Sequence, residues 1–277
     1  MTEPVIYPPV EAAEPPKAFV IMVHGLTRNC TVFDKAKLYL EKIGLKGLSF
    51  DQAGHGIQRE NPVDFEESSK DLIIKTQRLR KECPRVPVYA LGESSGALVV
   101  LNSYIQRPDL FDGLILVSPG TSLHVFSPLL TIPDFFRGIT KLSRPLDVVK
   151  YIKRYASNDP YIIQEMIADP IDLKTLDGHE MLTTYFFMKK VAKLPKKVTA
   201  NIPILVIQGE KDRIVKDGSV RKLFRRLRSE SKTMVVFANY GHVLLQTHYA
   251  QPAVLEYLQN WLLKTIDNRT KVTYDAN

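Results

Sequence analysis

Apolar residues along the chain fall into short unbroken runs, and between the runs they recur at helical spacing. Phe19-Val-Ile-Met-Val23 is the first run, and Gly47-Leu-Ser-Phe50, Val86-Pro-Val-Tyr-Ala-Leu91, Phe111-Asp-Gly-Leu-Ile-Leu-Val-Ser118, Ile202-Pro-Ile-Leu-Val-Ile-Gln208 and Thr233-Met-Val-Val-Phe237 follow. All read as strands, and the Phe19, Val86 and Phe111 runs as buried ones, the condition of a parallel sheet covered on both faces. Val32 to Ile43 has helical spacing and stops at Gly44; Phe65 to Cys83 sets Leu72, Ile73, Ile74 and Leu79 among charges. Ala97-Leu-Val-Val-Leu-Asn-Ser-Tyr104 continues as a helix that ends before Pro108, and Leu255, Leu258, Trp261 and Leu262 give a last helix its buried face, with His248 expected inside it. The alternation predicts an α/β fold built on a doubly wound, mostly parallel sheet. Before Ala18, the prolines at Pro4, Pro8, Pro9, Pro15 and Pro16 predict an extended arm or short edge strands.

From Thr121 to about Thr199 the rhythm breaks. No strand-like run occurs there, and prolines and helical stretches carry Phe126, Leu129, Leu130, Ile132, Phe135, Phe136, Tyr151, Tyr155, Tyr161, Met166, Met181, Tyr185, Phe186, Phe187 and Met188. The expected organisation is a core of residues 1–120 and 200–277 with a helical lid, 121–199, inserted into it. Taken singly, such aromatics and methionines are core residues. Taken together, an insertion over the strand edge has to line whatever cleft lies there.

The chemistry gathers around the third run. It ends in Gly92-Glu93-Ser94-Ser95-Gly96, the Gly-x-Ser-x-Gly spacing of a nucleophile elbow, and strand, turn and helix come in the required order. Ser94 is the candidate nucleophile. A bare serine is a poor nucleophile, so a histidine must take its proton and a carboxylate must hold that histidine. With an elbow the order is Ser, acid, His, each just after a strand. Asp212 follows the Ile202 run and is the expected acid, with Glu210 and Asp217 as alternatives and Asp217 better placed to cap the next helix. His242, in Asn239-Tyr-Gly-His242 after the last strand, is the expected base, and His248 the second choice. His24 reads as a loop histidine packed on its own backbone. His55 lies between glycines, so it is expected to be mobile or turn-forming unless held, and because it precedes the elbow it is a poor base. Glu93 is expected to be structural, turned away and hydrogen-bonded, because a carboxylate facing an oxyanion would oppose it.

Composition narrows the classes. At 277 residues and 44% hydrophobic, the chain can bury a large core and is not a disordered tail. No apolar run reaches the roughly 18 residues of a membrane helix, and the first residues lack the regions of a signal peptide, so a soluble, cytoplasmic protein is expected. Two cysteines, Cys30 and Cys83, have no metal-ligand spacing and read as ordinary thiols. The formal charge of +8 leaves room for an acidic partner. Its one local cluster, Arg221, Lys222, Arg225, Arg226 and Arg228, interleaves with Val220, Leu223, Phe224 and Leu227 as a solvated helix face does. No nucleic-acid motif accompanies it.

With Ser94, Asp212 and His242 in place, the chain resembles the α/β-hydrolases, and more narrowly the monoacylglycerol lipase and lysophospholipase group. The matching segments are His24-Gly25, Asp51-Gln-Ala-Gly-His-Gly56, the elbow, Phe111 to Pro119, Ile204 to Asp212 and Gly241-His242, with the insertion matched least. The resemblance implies an α/β-hydrolase fold with the lid inserted after the sixth strand, an oxyanion hole formed by the backbone amides of Leu26 and Ser95, and no metal or organic cofactor. Many members carry Met where Ser95 stands and Gly where Ala97 stands, which predicts a more polar pocket wall at Ser95. The expected activity is ester hydrolysis through an acyl-enzyme on Ser94, with monoacylglycerol or a similar lipid-like ester as substrate and peripheral membrane contact through the lid. A short-chain or aromatic carboxylesterase, a thioesterase and an acyltransferase would use the same residues, and a non-catalytic ligand receptor could keep the same fold.

Overall fold

In the computed structural model, which describes residues 15–122, 145–199 and 201–275, the apolar runs become strands and the periodic stretches helices. In chain order these are β1 (Ala18–Val23), α1 (Asp34–Glu41), β2 (Leu45–Ser49), α2 (Phe65–Glu82), β3 (Val88–Glu93), α3 (Ser95–Gln106) and β4 (Gly113–Val117). The 121–199 segment contributes β5 (Leu146–Asp147), α4 (Val149–Tyr151, running on as a π turn to Ala156), α5 (Pro160–Ala168), β6 (Thr175–Leu176) and α6 (Gly178–Val191). The chain then completes the sheet with β7 (Ile204–Gly209), α7 (Asp217–Arg226), β8 (Lys232–Phe237) and α8 (Pro252–Asp275).

Six strands pair in the order β2-β1-β3-β4-β7-β8, each parallel to its neighbours. Parallel pairing places every carboxyl end on one edge. The chain leaves β1 for β2 on one side and returns to β3 on the other, so the order reverses between β1 and β3, where open α/β sheets hold their ligands. Ser94 emerges at that point, since Val23 pairs with Gly92 in the register of these strands.

One face of the sheet packs under α2 and α3, through Ile21, Ala90, Leu98, Leu101 and Leu116. The other packs under α1 and α8, through Met22, Leu40, Leu91, Ile207, Leu258 and Leu262. Asp64 caps α2 by accepting the N–H groups of Glu66 and Glu67, and Gly44, at φ +79°, turns the chain from α1 directly into β2. That tight turn is why β2 begins at Leu45, two residues before the expected run.

Several details depart from expectation. His248 is not in the last helix, because Pro252 opens α8 and leaves it in the preceding loop. Asp217 is the first helical residue of α7 and not its cap; its carboxylate takes Arg221 Nε at 2.7 Å instead. Within 121–199, β5 and β6 form a two-stranded antiparallel ribbon where no strand was expected. Among the described strands the insertion follows the fourth, β4; the arm with Pro4, Pro8 and Pro9, where edge strands were expected, lies outside the described residues, as do Phe126, Leu129, Leu130, Ile132, Phe135 and Phe136. Among the described residues no helix is long and apolar enough to cross a membrane. On α7, Val220 and Leu223 are buried, while Arg226 caps the carbonyls of Ala192 and Lys193.

Candidate active site

The turn after β3 holds Ser94 at φ 60°, ψ −121°, a backbone state that costs on the order of 1–3 kcal/mol in a non-glycine residue. The two flanking glycines make it sterically accessible. A Cβ on Gly92 would stand 2.2 Å from the Gly96 carbonyl oxygen, and one on Gly96 2.2 Å from that of Val23. The turn is pinned to β4 by Ser94 N–H donating to Val117 O at 2.9 Å.

The three sequence-predicted side chains meet here. His242 Nε2 lies 2.9 Å from Ser94 Oγ, and His242 Nδ1 lies 2.8 Å from Asp212 Oδ2. Asp212 is held at Oδ1 by the N–H groups of Ile214 and Val215 at 2.8 and 2.9 Å, and Gln208 Nε2 donates at 2.8 Å to Oδ2, the oxygen that faces His242. With Asp212 accepting at Nδ1, the imidazole donates there and keeps Nε2 free to accept from the serine hydroxyl. Burial pushes the Asp212 carboxyl up, but the charge and hydrogen bond of His242 and the two amides outweigh it, so Asp212 stays below the ordinary carboxylate value. His242 shows the reverse: burial pulls it down, and Asp212, with a smaller push from Glu93, holds it above its ordinary value.

The rival residues fall elsewhere. The Glu210 carboxylate accepts the Asn239 N–H at 3.2 Å. His248 is half-exposed and its backbone N–H donates to Glu165. His24 is buried, donates from Nδ1 to its neighbour's carbonyl (Gly25, 2.9 Å) and accepts the Gln52 N–H, and burial lowers its pKa. His55 is held: its buried ring donates to Ala53 O at 3.0 Å, and burial pushes its pKa down to about 4. Glu93 is buried and accepts backbone N–H groups from the loop after His242. Cys30, near Asp51, is pushed by burial up to about 11, which makes it a poor nucleophile. Among the described residues no group of three or more His, Cys, Asp or Glu could hold a metal ion.

Ser94 and His242 open onto a cavity whose walls come from both parts of the chain. The core contributes Leu26, Ser95, Ile214 and Val243; the 145–199 segment contributes Leu146, Tyr151, Ile152, Tyr155, Met166 and Met188. Leu26 and Ser95 line the cavity beside Ser94, and among the described residues neither of their amides meets an acceptor. Ser95 Oγ is buried and likewise without a partner there, a polar spot in a wall that also carries Thr27, Arg28, Thr184 and Gln246.

Sequence reasoning missed an ionic cluster centred on Arg28, which is itself part of this wall. Arg28, fully buried, reaches Asp172 with Nη1, Glu165 Oε1 with Nη2 at 2.7 Å and the Gln246 carbonyl at 3.4 Å. Asn29 Nδ2 donates to Asp169 and Asp172, and Leu173 N–H donates to Thr27 O at 2.8 Å. Pairs separated by more than a hundred residues leave no local pattern that could have announced them.

Residues 14–247 match the model of the Hydrolase_4 family, described as serine aminopeptidase, S33. The chain belongs to this family. Among characterised relatives, rat monoglyceride lipase is 26% identical over 262 residues, covering 89% of this chain and 82% of its own. The monoacylglycerol lipase of Mycolicibacterium smegmatis is 23% identical, covering 90% of this chain and 89% of its own. Among solved structures, the Paleococcus ferrophilus monoacylglycerol lipase superposes with a TM-score of 0.74 at 22% identity, over 91% of this chain and 96% of that one. A soluble variant of the Saccharomyces cerevisiae monoglyceride lipase, in complex with a substrate analogue, gives 0.78 at 18% identity over 93% and 88%. These likenesses make the fold that of an α/β-hydrolase.

Proposed function

We propose that this hydrolase cleaves carboxylic esters, with a monoacylglycerol or a similar single-chain lipid ester as substrate and residues 121–199 as the lid over its acyl chain. The observation that carries the reading is the hydrogen-bonded series Ser94, His242, Asp212 opening onto an apolar cavity. Ser94 Oγ attacks the ester carbonyl while His242 Nε2 takes its proton, and Asp212 orients the imidazole and stabilises its charged form. The amides of Leu26 and Ser95 receive the oxyanion; loss of one such donor costs about 10²- to 10³-fold in rate. His242 then protonates the departing alcohol, and a water activated by the same nitrogen releases the acid.

The family's description as aminopeptidases offers a second reading, and the cavity argues against it. An aminopeptidase must neutralise a substrate ammonium group, yet no Asp or Glu is among the described residues lining the cavity, and its one charged side chain is Arg28. The relatives named as monoglyceride lipases favour the ester. Exposed Tyr161 and Phe186 on the insertion suit contact with a lipid surface that presents such a substrate. Vesicle co-sedimentation that survives Tyr161→Ser with Phe186→Ser would remove that contact from the reading.

The test is hydrolysis of para-nitrophenyl esters from acetate to palmitate, and of 1-monooleoylglycerol against an amino-acid anilide, by wild type and Ser94→Ala. Ester turnover is expected to be lost in the variant and the anilide left uncut. Wild type inactive on every ester and unlabelled by a fluorophosphonate would favour a ligand-binding role.

A further inference from the structure

Glu93 is the last residue of β3, directly before Ser94, and no part of it reaches solvent. Its carboxylate accepts three consecutive backbone N–H groups: Leu244 at 2.6 Å, Leu245 at 3.0 Å and Gln246 at 2.7 Å. Successive N–H groups folded around one anion make a nest, and this nest is the loop that carries His242. Gln246 then reaches the opposite way. Its side-chain Oε1 accepts the Gly25 N–H at 2.8 Å, and its carbonyl accepts Arg28 Nη2. Gly25 is the residue before Leu26. The three segments are in contact here, for a Cβ on Gly25 would lie 3.1 Å from both polar atoms of the Gln246 amide and from Ser94 Cβ.

We infer that Glu93 and Gln246 are positioning residues, a relay that registers the histidine loop and the oxyanion loop on the strand that carries the nucleophile. The inference rests on the reading of Ser94, His242 and Leu26 given above. Glu93 shares its backbone with Ser94, so whatever Glu93 holds is held relative to the serine. It holds Leu244 to Gln246, which fixes His242 two residues upstream of the nest. Gln246 passes the same constraint to Gly25 and so to the Leu26 amide. An apolar residue could fill the space of Glu93, but it would leave three buried N–H groups unpaired, and nothing in simple core packing asks for a carboxylate here. Charge-assisted bonds to the backbone are stiff and directional, and an acyl-transfer site needs such definition in its base and its oxyanion donors.

The experiment compares wild type, Glu93→Gln and Gln246→Leu by amide hydrogen exchange in peptides covering residues 19–28 and 241–248, and by kcat and KM on para-nitrophenyl butyrate per site titrated with fluorophosphonate. In Glu93→Gln an NH2 group faces the backbone donors, so exchange is expected to rise in both peptides. In Gln246→Leu, which keeps the nest, it is expected to rise in 19–28 alone. Per titrated site, kcat is expected to fall about 10- to 100-fold in both variants with KM little changed. A rise confined to 241–248 in Glu93→Gln, or wild-type kcat per site in variants that exchange faster, overturns the relay. If Glu93→Gln does not fold, unchanged exchange at 19–28 in Gln246→Leu overturns it alone. Wild type that takes no fluorophosphonate label defeats the Ser94 reading instead, and the exchange data still decide the relay.

Discussion

To act as the proposed base, His242 must be neutral when it takes a proton from Ser94, yet its surroundings favour the charged form. Burial pulls its pKa down, but Asp212 at 2.8 Å and the more distant charge of Glu93 raise it above 6.5. On the proposed mechanism, kcat/KM falls as pH drops through that raised value, so a pH series on para-nitrophenyl butyrate is expected to show an acid limb centred above 6.5. Asp212→Asn removes the charge that lifts it and also favours the wrong tautomer. The limb should move to lower pH and kcat should fall about 10⁴-fold; a limb that stays in place would mean that Asp212 does not set it. The same shift enters stability with the opposite convenience: the contribution of His242 is complete below 6.5 and fades as pH rises through its folded value. The meeting of Ser94, Asp212 and His242 was legible in the sequence because the elbow needs glycines at fixed local spacing and each partner follows a strand. Gln246 was not legible, since its contact with Gly25 joins residues 221 apart and no spacing rule reaches that far.

At the scale of elements, apolar runs gave away the four inner strands β1, β3, β4 and β7, because a strand buried on both faces has no polar position to spare, while the edge strands β2 and β8 carry exposed residues and were read from shorter or more mixed runs. The β5–β6 ribbon escaped notice because two residues per strand make no pattern. What binds the insertion to the core beside the cavity was equally invisible: Arg28, in the loop after β1, grips Glu165 on α5 and Asp172 beyond it. Burial pushes the Asp172 carboxyl up to about 6 against the pull of Arg28. For an acid the stability linked to such a rise is complete below the ordinary value of 3.8 and lost as pH climbs through about 6, so the ionised form is disfavoured at neutral pH. Arg28 nevertheless needs an acceptor there. Asp172→Ala is expected to destabilise by about 3–5 kcal/mol, because it strands part of a buried guanidinium. Asp172→Asn keeps an acceptor oxygen and sheds the desolvation cost, so it should lose far less. Urea unfolding of both variants at pH 7 checks this, and equal losses would show that the charge itself holds the two parts together.

For the whole molecule the question is whether the insertion is a lid resting on a finished core or a part of that core. Leu176, Phe187, Met188, Val191 and Val198 are buried in the same cluster as Val23 of β1, Leu98 of α3 and Leu116 of β4. The Phe187 ring stacks on Phe65 of α2 at 5.3 Å, and Lys190 pairs with Glu66 across the same junction. Among the described residues, Ile152, Ala156, Ile162 and Met166 form a smaller cluster of their own, which takes in Val243 of the loop that carries His242. Burying one large apolar side chain is worth about 1.5–3 kcal/mol, so five of them together rival the roughly 5–15 kcal/mol by which a domain is stable at all. Replacing residues 121–199 with a short Gly-Ser linker is therefore expected to abolish the cooperative melt, while the intact chain should unfold in one transition, with near-ultraviolet and far-ultraviolet circular dichroism changing together. A linker variant that still melts cooperatively, or an early transition of the insertion alone in the intact chain, would instead mean that the strand layers close their core unaided. In that case α6 would only cover the cavity, and the aromatic content of the whole insertion would have to be explained by substrate rather than by packing.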